Sequence, residues 1–169
     1  KDSTPVSDAQ YAAVLALCRR GPRFGRAGLA LTRGELGVTE CTEAELGGWL
    51  ARLGPAEVLL DREQLPAAML DSLQSSRFAT TTQAAWQFDA ALGKRKLCEQ
   101  LQVASLAGYN AETLLAAQAA AAALLSYAER TQGGALAHVR RLDVQRASEL
   151  LDLPPTTQRA RFRRRSPSP

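Results

Sequence analysis

Apolar runs separated by turn residues fill the first quarter of the chain and predict a small sheet. Residues 11–18 form a continuous apolar run that stops before Gly21 and Pro22. The length of this run suits a buried strand, although periodicity alone leaves a short helix open. Residues 25–31 and residues 35–41 flank a short break that contains Gly, which is the pattern of a β-hairpin. Together the three runs predict an antiparallel meander.

A capping pattern after the meander predicts the first helix. Thr42 offers a hydroxyl to a free backbone N–H, and Glu45 follows three residues later with a carboxylate for the reciprocal bond. Apolar residues then recur at helical spacing, namely Leu46, Trp49, Leu50 and Leu53. Gly54 and Pro55 stop the helix, and residues 56–60 predict a short apolar strand. A helix that passes directly into a strand is typical of layered α/β folds.

The middle of the chain predicts three more helices of unequal clarity. Residues 62–85 have the weakest pattern, with a short helix at 67–73 and a Ser/Thr/Gln-rich segment behind it. Residues 89–102 predict a basic amphipathic helix. Asn110 is suited to cap a helix that runs to about residue 131. Because this last helix is apolar nearly all round, we expect it to be buried on several sides.

Two final strands are predicted at residues 138–144 and 149–153, before a Pro-Pro pair closes the compact part. The pattern therefore predicts one domain over residues 11–155. A polar linker precedes it at residues 1–10. An Arg/Pro/Ser-rich tail without apolar periodicity follows at residues 156–169, and we expect that tail to be disordered or aberrant.

These elements predict an α/β fold with a mixed sheet of about five to six strands and flanking helices. A meander followed by a helix and a further strand is similar to the ribonuclease-H-like layered fold. Nucleases of that fold need about three carboxylates that converge on two metal ions. The first two predicted strands carry no acid, and Glu57 and Asp61 are isolated acids that we expect to face solvent. A nuclease is therefore disfavoured.

The charge of the chain is concentrated at its end. The formal net charge of +4 becomes −1 when five arginines of the last eleven residues are left out. The tail could neutralise phosphates, and its candidate nucleic-acid contacts are Arg161, Arg163, Arg164 and Arg165. This interpretation competes with a chance basic terminus, because the remainder of the sequence offers no matching basic stripe.

No nucleotide, metal or nucleophile site stands out. Gly93 is followed by Lys-Arg, and no Gly lies five residues before it, so a P-loop pattern fails twice. His138 and three dispersed cysteines offer no paired metal ligands. The cysteines, which are Cys18, Cys41 and Cys98, lack a neighbouring base and are expected to be small hydrophobic residues with raised pKa values. We expect no catalytic, cofactor or metal site.

The start of the chain shows no secretory signal, and an odd number of unpaired cysteines fits a reducing compartment. The longest apolar stretch, residues 114–128, is shorter than the roughly 20 residues that a membrane span requires. The prediction is a cytoplasmic protein without a membrane anchor.

Six segments carry a resemblance to one family. They are the hairpin at 27–36, the Pro-Ala-Glu strand at 53–60, the Trp-x-Phe segment at 86–89, the Leu-x-Gly-aromatic turn at 106–109, the helix end with its Thr-Gln pair at 123–132, and the Leu-x-His-x-Arg strand at 135–140. In this order and spacing, they resemble the connector domain (domain II) of the bacterial DNA mismatch-repair protein MutS. The resemblance covers residues 23–158 and ends in the tail.

The resemblance implies a connector fragment with no enzymatic activity of its own. In the family, this domain links the mismatch-binding part to the ATPase part and helps to dock the partner protein MutL. ATP, Mg²⁺, mismatched duplex DNA and dimer formation belong to the full-length family proteins, which are nucleoid-associated. The predicted helix at 89–102 matches the docking region, so Arg95, Lys96 and Gln100 are the candidate docking residues. The alternative from the residues alone is a stand-alone nucleic-acid-binding module that acts through the Arg-rich tail.

Overall fold

A six-stranded sheet with four helices forms the body of the protein. The structure, a computed structural model, describes residues 14–146, apart from the side chains at positions 49 and 51–53. The strands are β1 (Val14–Arg20), β2 (Arg23–Ala30), β3 (Glu35–Thr42), β4 (Glu57–Leu60), β5 (Ala79–Thr82) and β6 (Arg141–Val144). The helices are α1 (Glu43–Leu53), α2 (Ala67–Gln74), α3 (Ala90–Leu101) and α4 (Leu115–Gln132).

The sheet is mixed, and its strand order is β5-β4-β1-β2-β3-β6. β1, β2 and β3 form the predicted antiparallel meander, while β4 pairs parallel to β1, β5 parallel to β4 and β6 parallel to β3. The predicted α/β class with a mixed sheet is confirmed, at the upper end of the expected strand number. The finer assignment to the ribonuclease-H-like fold stays a prediction.

Side chains alternate between the two faces of the sheet and form two cores. From β1, Ala16 and Cys18 face α3 and α4, whereas Leu15 and Leu17 face the core on the other side. This second core includes apolar side chains of α1 and α2, among them Leu46 and Leu73. Because a strand directs successive side chains to opposite faces, a continuous apolar run such as that of β1 is buried on both.

Helix α4 has small side chains and lies unusually close to its neighbours. Eight of its alanines are buried, and both the sheet and α3 pack against it. A Cβ atom added at Gly25 of β2 would overlap the backbone of Ala116, and one added at Gly93 of α3 would overlap the carbonyl of Gln118. Two glycines therefore allow the close approach, one from the sheet and one from α3.

The start of α4 is capped from the sheet, which corrects the predicted cap at Asn110. Asn110 instead ends a short 3-10 turn with a left-handed backbone, at φ 60°. Glu40 of β3 accepts hydrogen bonds from the backbone N–H groups of Ala116 and Ala117, with N···O distances of 2.7 and 3.2 Å. A carboxylate at a helix N-terminus satisfies free N–H groups and interacts favourably with the helix dipole. The cap is therefore a tertiary contact.

Two further sequence predictions needed correction, and others lie outside the described residues. Part of the Ser/Thr/Gln-rich segment forms the edge strand β5, which the pattern did not predict. His138 ends a 3-10 turn at Gly133–His138, so the last strand begins only at Arg141. The linker at 1–10, the strand at 149–153 and the tail at 156–169 fall beyond residues 14–146. In that described part, no helix has the length and hydrophobicity to cross a membrane.

Candidate functional site

Helix α3 is the element on which sequence analysis placed the candidate docking residues. The carboxylate of Asp89 caps it by accepting from the Ala91 N–H at 3.0 Å. The helix ends at Gln102, which has a left-handed backbone with φ 61°. Its buried side, formed by Gly93, Leu97 and Leu101, packs on α4. The opposite side of α3 is consequently available for contacts outside the domain.

The three candidate docking residues have different environments. Arg95 is exposed. Lys96 donates to both carboxylate oxygens of Glu129 at 3.0 Å, and its side chain is only 18% exposed. Gln100 donates through Nε2 to the carbonyls of Leu136 and Val139, at 2.7 and 2.9 Å. Lys96 and Gln100 thus hold α3 to the rest of the fold, and Arg95 is the member of the set that faces outward.

An open depression of about 640 Å³ lies beside Arg95. It is lined by one side of α3, from Ala91 to Gln102, and by Val103 and Ala104 after the helix. Its lining combines apolar atoms with charged side chains, including Glu99. Among the lining residues after Arg95, sequence analysis named Cys98 only as a cysteine and did not single out Glu99, Gln102, Val103 or Ala104. Positions 91, 95, 99 and 102 are exposed and recur at helical spacing. That spacing is the sequence signal that could have identified the lining of the depression.

A charged pair marks one side of the depression. Lys94 forms an ion pair with Glu112, and the Glu112 carboxylate also accepts from the Leu106 N–H at 2.8 Å. The hydrogen bond between the two side chains raises the pKa of Lys94 and lowers the pKa of Glu112. Both groups therefore remain charged at neutral pH, and the pair fixes the segment before α4 against α3.

Two aromatic residues of the Trp-x-Phe segment have opposite roles. Phe88 is buried in the core beneath α3 and α4. Trp86, on the 3-10 turn Ala85–Gln87 that precedes α3, is 73% exposed. The segment therefore anchors the start of α3 through Phe88 and presents an indole at the surface.

The expectation that Glu57 and Asp61 face solvent is wrong. Glu57 accepts from the Tyr127 hydroxyl at 2.8 Å and from the Thr81 hydroxyl at 2.5 Å. Asp61 is only 5% exposed and accepts from the Glu63 N–H at 3.1 Å. Both carboxylates are structural acceptors at the ends of β4. Over residues 14–146, no group of three His, Cys, Asp or Glu side chains is placed to hold a metal ion.

The cysteine prediction is confirmed for Cys18 and Cys41, which are buried, whereas Cys98 is half-buried beside the depression. Burial raises the pKa of Cys18 and of Cys41 to about 11. It also raises the pKa of Cys98. The thiols of the two buried residues are therefore protonated at neutral pH and act as apolar packing groups.

This burial predicts a loss of stability in alkaline solution. The ordinary pKa of these thiols is 9.0, so the folded protein holds both protons more tightly than the unfolded chain between pH 9 and about 11. Their contribution is complete below pH 9 and is lost as pH rises through this window. We expect the free energy of unfolding to fall by about 2 kcal/mol between pH 8 and pH 10, measured by urea unfolding.

The double variant Cys18→Ala/Cys41→Ala is the control for that measurement and should have a much flatter pH profile. Readings stop at pH 10, because burial lowers the pKa of Arg26 to about 10 and its deprotonation would stabilise the fold above that pH. An equally steep decline in the double variant would assign the effect to other groups.

Comparison with protein families identifies the family to which this domain belongs. The family model described as MutS domain II matches residues 12–140, which is more than half of the 169 residues. The chain belongs to the MutS domain II family. The match includes five of the six strands, all four helices and the α3 surface. It confirms the resemblance drawn from the six sequence segments, and it connects this MutS domain II chain with DNA mismatch repair.

The family match gives no information on the basic residues of the tail. The family match ends before them, and Arg161, Arg163, Arg164 and Arg165 lie outside the described residues. Nucleic-acid contact through these four arginines therefore stays a prediction.

Proposed function

We propose that this MutS domain II chain links other parts of a mismatch-repair protein and offers the outer side of α3 as a docking surface for a MutL-like partner. The observation that carries the proposal is the family match over residues 12–140. In this role the domain transmits position and makes contacts, while ATP, Mg²⁺ and mismatched DNA are bound by other domains of a full-length, dimeric, cytoplasmic family protein on the nucleoid.

The way in which the chain leaves the sheet supports the linking role. After β6, the Gln145 N–H donates to the carbonyl of Val38 at 2.8 Å. Thr39 donates through Oγ1 to the carbonyl oxygen of Gln145, and Arg26 donates through Nη2 to its side-chain oxygen. Three hydrogen bonds at Gln145 hold the chain after β6 to two strands of the sheet. A displacement of the sheet would therefore move the chain at Gln145 with it.

Two glycines of the sheet make room for the side chain of Arg26. Arg26 is buried, and its guanidinium lies over Gly28 and Gly37, where added Cβ atoms would approach it to 2.7 and 3.2 Å. Asp143 of β6 favours the charged guanidinium and partly opposes the effect of burial on its pKa. A buried, charged donor with fixed acceptors is suited to a rigid junction, because removing either partner leaves a buried group unsatisfied.

The outer side of α3 supports the docking role. Arg95 has an exposed guanidinium beside an open depression, and the helix beneath it is fixed by Gly93, Lys96 and Gln100. A rigid helix that presents a guanidinium beside a partly apolar depression has the features of a protein-docking surface, in which Arg is enriched.

A domain exchange tests the proposal. Residues 11–155, the predicted domain, replace the corresponding domain of a full-length MutS protein, and mismatch-dependent recruitment of MutL is measured by surface plasmon resonance. We expect the exchanged protein to recruit MutL, and Arg95→Glu to weaken recruitment about tenfold because it reverses a charge at the contact. Arg77→Glu, an exposed arginine between α2 and β5, is the matched control and should have no effect.

Two results would contradict different parts of the proposal. Loss of recruitment in an exchanged protein that still folds and hydrolyses ATP would contradict the linking role. Equal recruitment by the Arg95→Glu and Arg77→Glu proteins would move the docking surface away from the outer side of α3.

A further inference from the structure

The turn between β1 and β2 brings three arginines together. Arg19, Arg20 and Arg23 surround the apex formed by Gly21 and Pro22, and all five residues are exposed. Gly21 has φ 58°, and an added Cβ atom there would meet nothing within 4 Å. We call these residues, 19–23, the arginine turn. It is a basic cluster within the compact part of the chain, where sequence analysis expected no basic stripe.

The register of the hairpin places like charges opposite each other. Arg20 and Arg23 are direct cross-strand partners in the antiparallel β1–β2 pair, so their side chains leave the sheet on the same face. Like charges in this arrangement destabilise a sheet. Arg23 is partly compensated by Glu40, with an Nε···Oε1 distance of 3.6 Å, but that carboxylate already caps α4. Arg20 forms no ion pair with any acid of residues 14–146.

The guanidinium of Arg19 lies on the other face of the sheet and is held in place by contacts within the turn. Arg19 donates through Nε to the carbonyl of Gly21 at 3.1 Å, and its guanidinium carbon lies 5.9 Å from the ring centre of Phe24. These contacts restrict the side chain of a residue that is exposed as a whole. The arginine turn therefore presents cationic donors on both faces of one tight turn.

The surface chemistry of the turn favours a polyanion over a protein partner. The ring of Phe24 is buried, so the exposed part of the turn has arginines and Pro22 but no aromatic or large aliphatic anchor. Arginines that anchor protein interfaces lie in well-packed pockets together with apolar surface, and this turn has only Pro22 beside its arginines. Guanidinium groups bind phosphate oxygens with matched, often bidentate geometry, and contacts to phosphate dominate protein contacts with nucleic acids.

We propose that the arginine turn contacts the phosphate backbone of a nucleic acid, through Arg20 and Arg23 on one face and Arg19 on the other. The contact is independent of base sequence, because contacts to phosphate carry no sequence information directly. It goes beyond the connector role and is separate from α3.

Salt dependence of duplex binding by the full chain tests the proposal. Binding of a fluorescein-labelled 20-base-pair duplex is followed by fluorescence anisotropy between about 50 and 200 mM salt. Arg19→Gln/Arg20→Gln removes two phosphate contacts and leaves the Arg23–Glu40 pair and the tail unchanged. Raising the salt across this range weakens binding by both proteins. We expect the factor by which affinity falls to be about twelvefold smaller for the double variant than for the unchanged chain.

Arg140→Gln/Arg141→Gln is the matched control, because it removes two exposed arginines at the start of β6. The control should keep the original salt dependence. Equal effects of the two double variants would overturn the proposal, because the salt dependence would then follow from the net charge of the chain and not from the arginine turn. In the unchanged chain, the amide resonances of Gly21 and Arg23 should shift on duplex addition, and shifts confined to other segments would also overturn it.

A competition experiment separates the classes of polyanion. A poly-glutamate peptide with the same number of charges should displace the duplex only weakly. Displacement at equal charge concentration, together with shifts at Gly21, would assign the arginine turn to an acidic protein partner and overturn the nucleic-acid proposal. The domain exchange does not depend on these residues, so the connector proposal and this one can fail separately.

Discussion

Gly93→Ala is expected to destabilise the protein by about 3 kcal/mol, although alanine is the better helix former. The added Cβ would overlap the carbonyl of Gln118, and the Ala122 nitrogen would lie only 3.2 Å away. These are backbone atoms, so relief requires α3 and α4 to move apart. That movement would loosen the buried contacts of Leu97 with α4. Thermal unfolding should shift downward by roughly 6–12 °C.

Gly47→Ala is the matched control, because it makes the same change in a helix where nothing lies within 4 Å of the added atom. Without a steric conflict, the helix propensity of alanine should stabilise the protein by about 0.5–1 kcal/mol. The two variants should thus change the midpoint of denaturant unfolding in opposite directions. A stabilised Gly93→Ala protein would show that α3 and α4 are not in such close contact.

Glu40→Ala is expected to cost about 2–3 kcal/mol. The substitution removes the acceptor for the Ala116 and Ala117 N–H groups and the carboxylate that partly compensates Arg23. The Glu40 side chain is only 10% exposed, so water replaces it poorly. Urea unfolding measures the total loss. Hydrogen exchange should be accelerated specifically at the first turn of α4.

Two variants make the Glu40 prediction specific. Glu40→Gln keeps an acceptor oxygen but loses the charge, so its cost should be smaller, about 1 kcal/mol. Glu43→Ala removes an exposed acid from the first turn of α1 and should change stability by no more than about 0.5 kcal/mol. A Glu40→Ala protein as stable as Glu43→Ala would contradict a capping role for Glu40.

The sequence predicted correctly the elements that are stabilised by interactions between residues close together in the chain. The β1–β3 meander follows from apolar runs and turns, and α1 has the predicted capping box, in which Thr42 and Glu45 bond reciprocally. The edge strand β5 was missed because its three threonines are half-exposed or exposed and give no apolar pattern. Its pairing depends on β4, which is distant in sequence, and distant pairing leaves no mark on a short window.

The remaining differences also have tertiary causes. The start of α4 was predicted at Asn110, but the acceptor for its first N–H groups is Glu40, more than 70 residues earlier. Glu57 was expected in solvent, but Tyr127 and Thr81 bond to it only after the sheet and α4 have assembled. On α3, the basic amphipathic pattern predicted the helix itself, and the docking role of its residues stays a proposal. The pattern could not distinguish outward-facing Arg95 from Lys96, which the fold uses internally.

The alanine-rich helix α4 also affects the entropy of folding. A buried alanine side chain has no rotamers to lose, so the helix is ordered at the cost of its backbone freedom alone. The same small side chains leave few alternative packings, because a larger residue at Ala119, Ala120 or Ala121 would meet atoms that are already in contact. The centre of this domain is therefore stiff and tolerates little variation in side-chain volume.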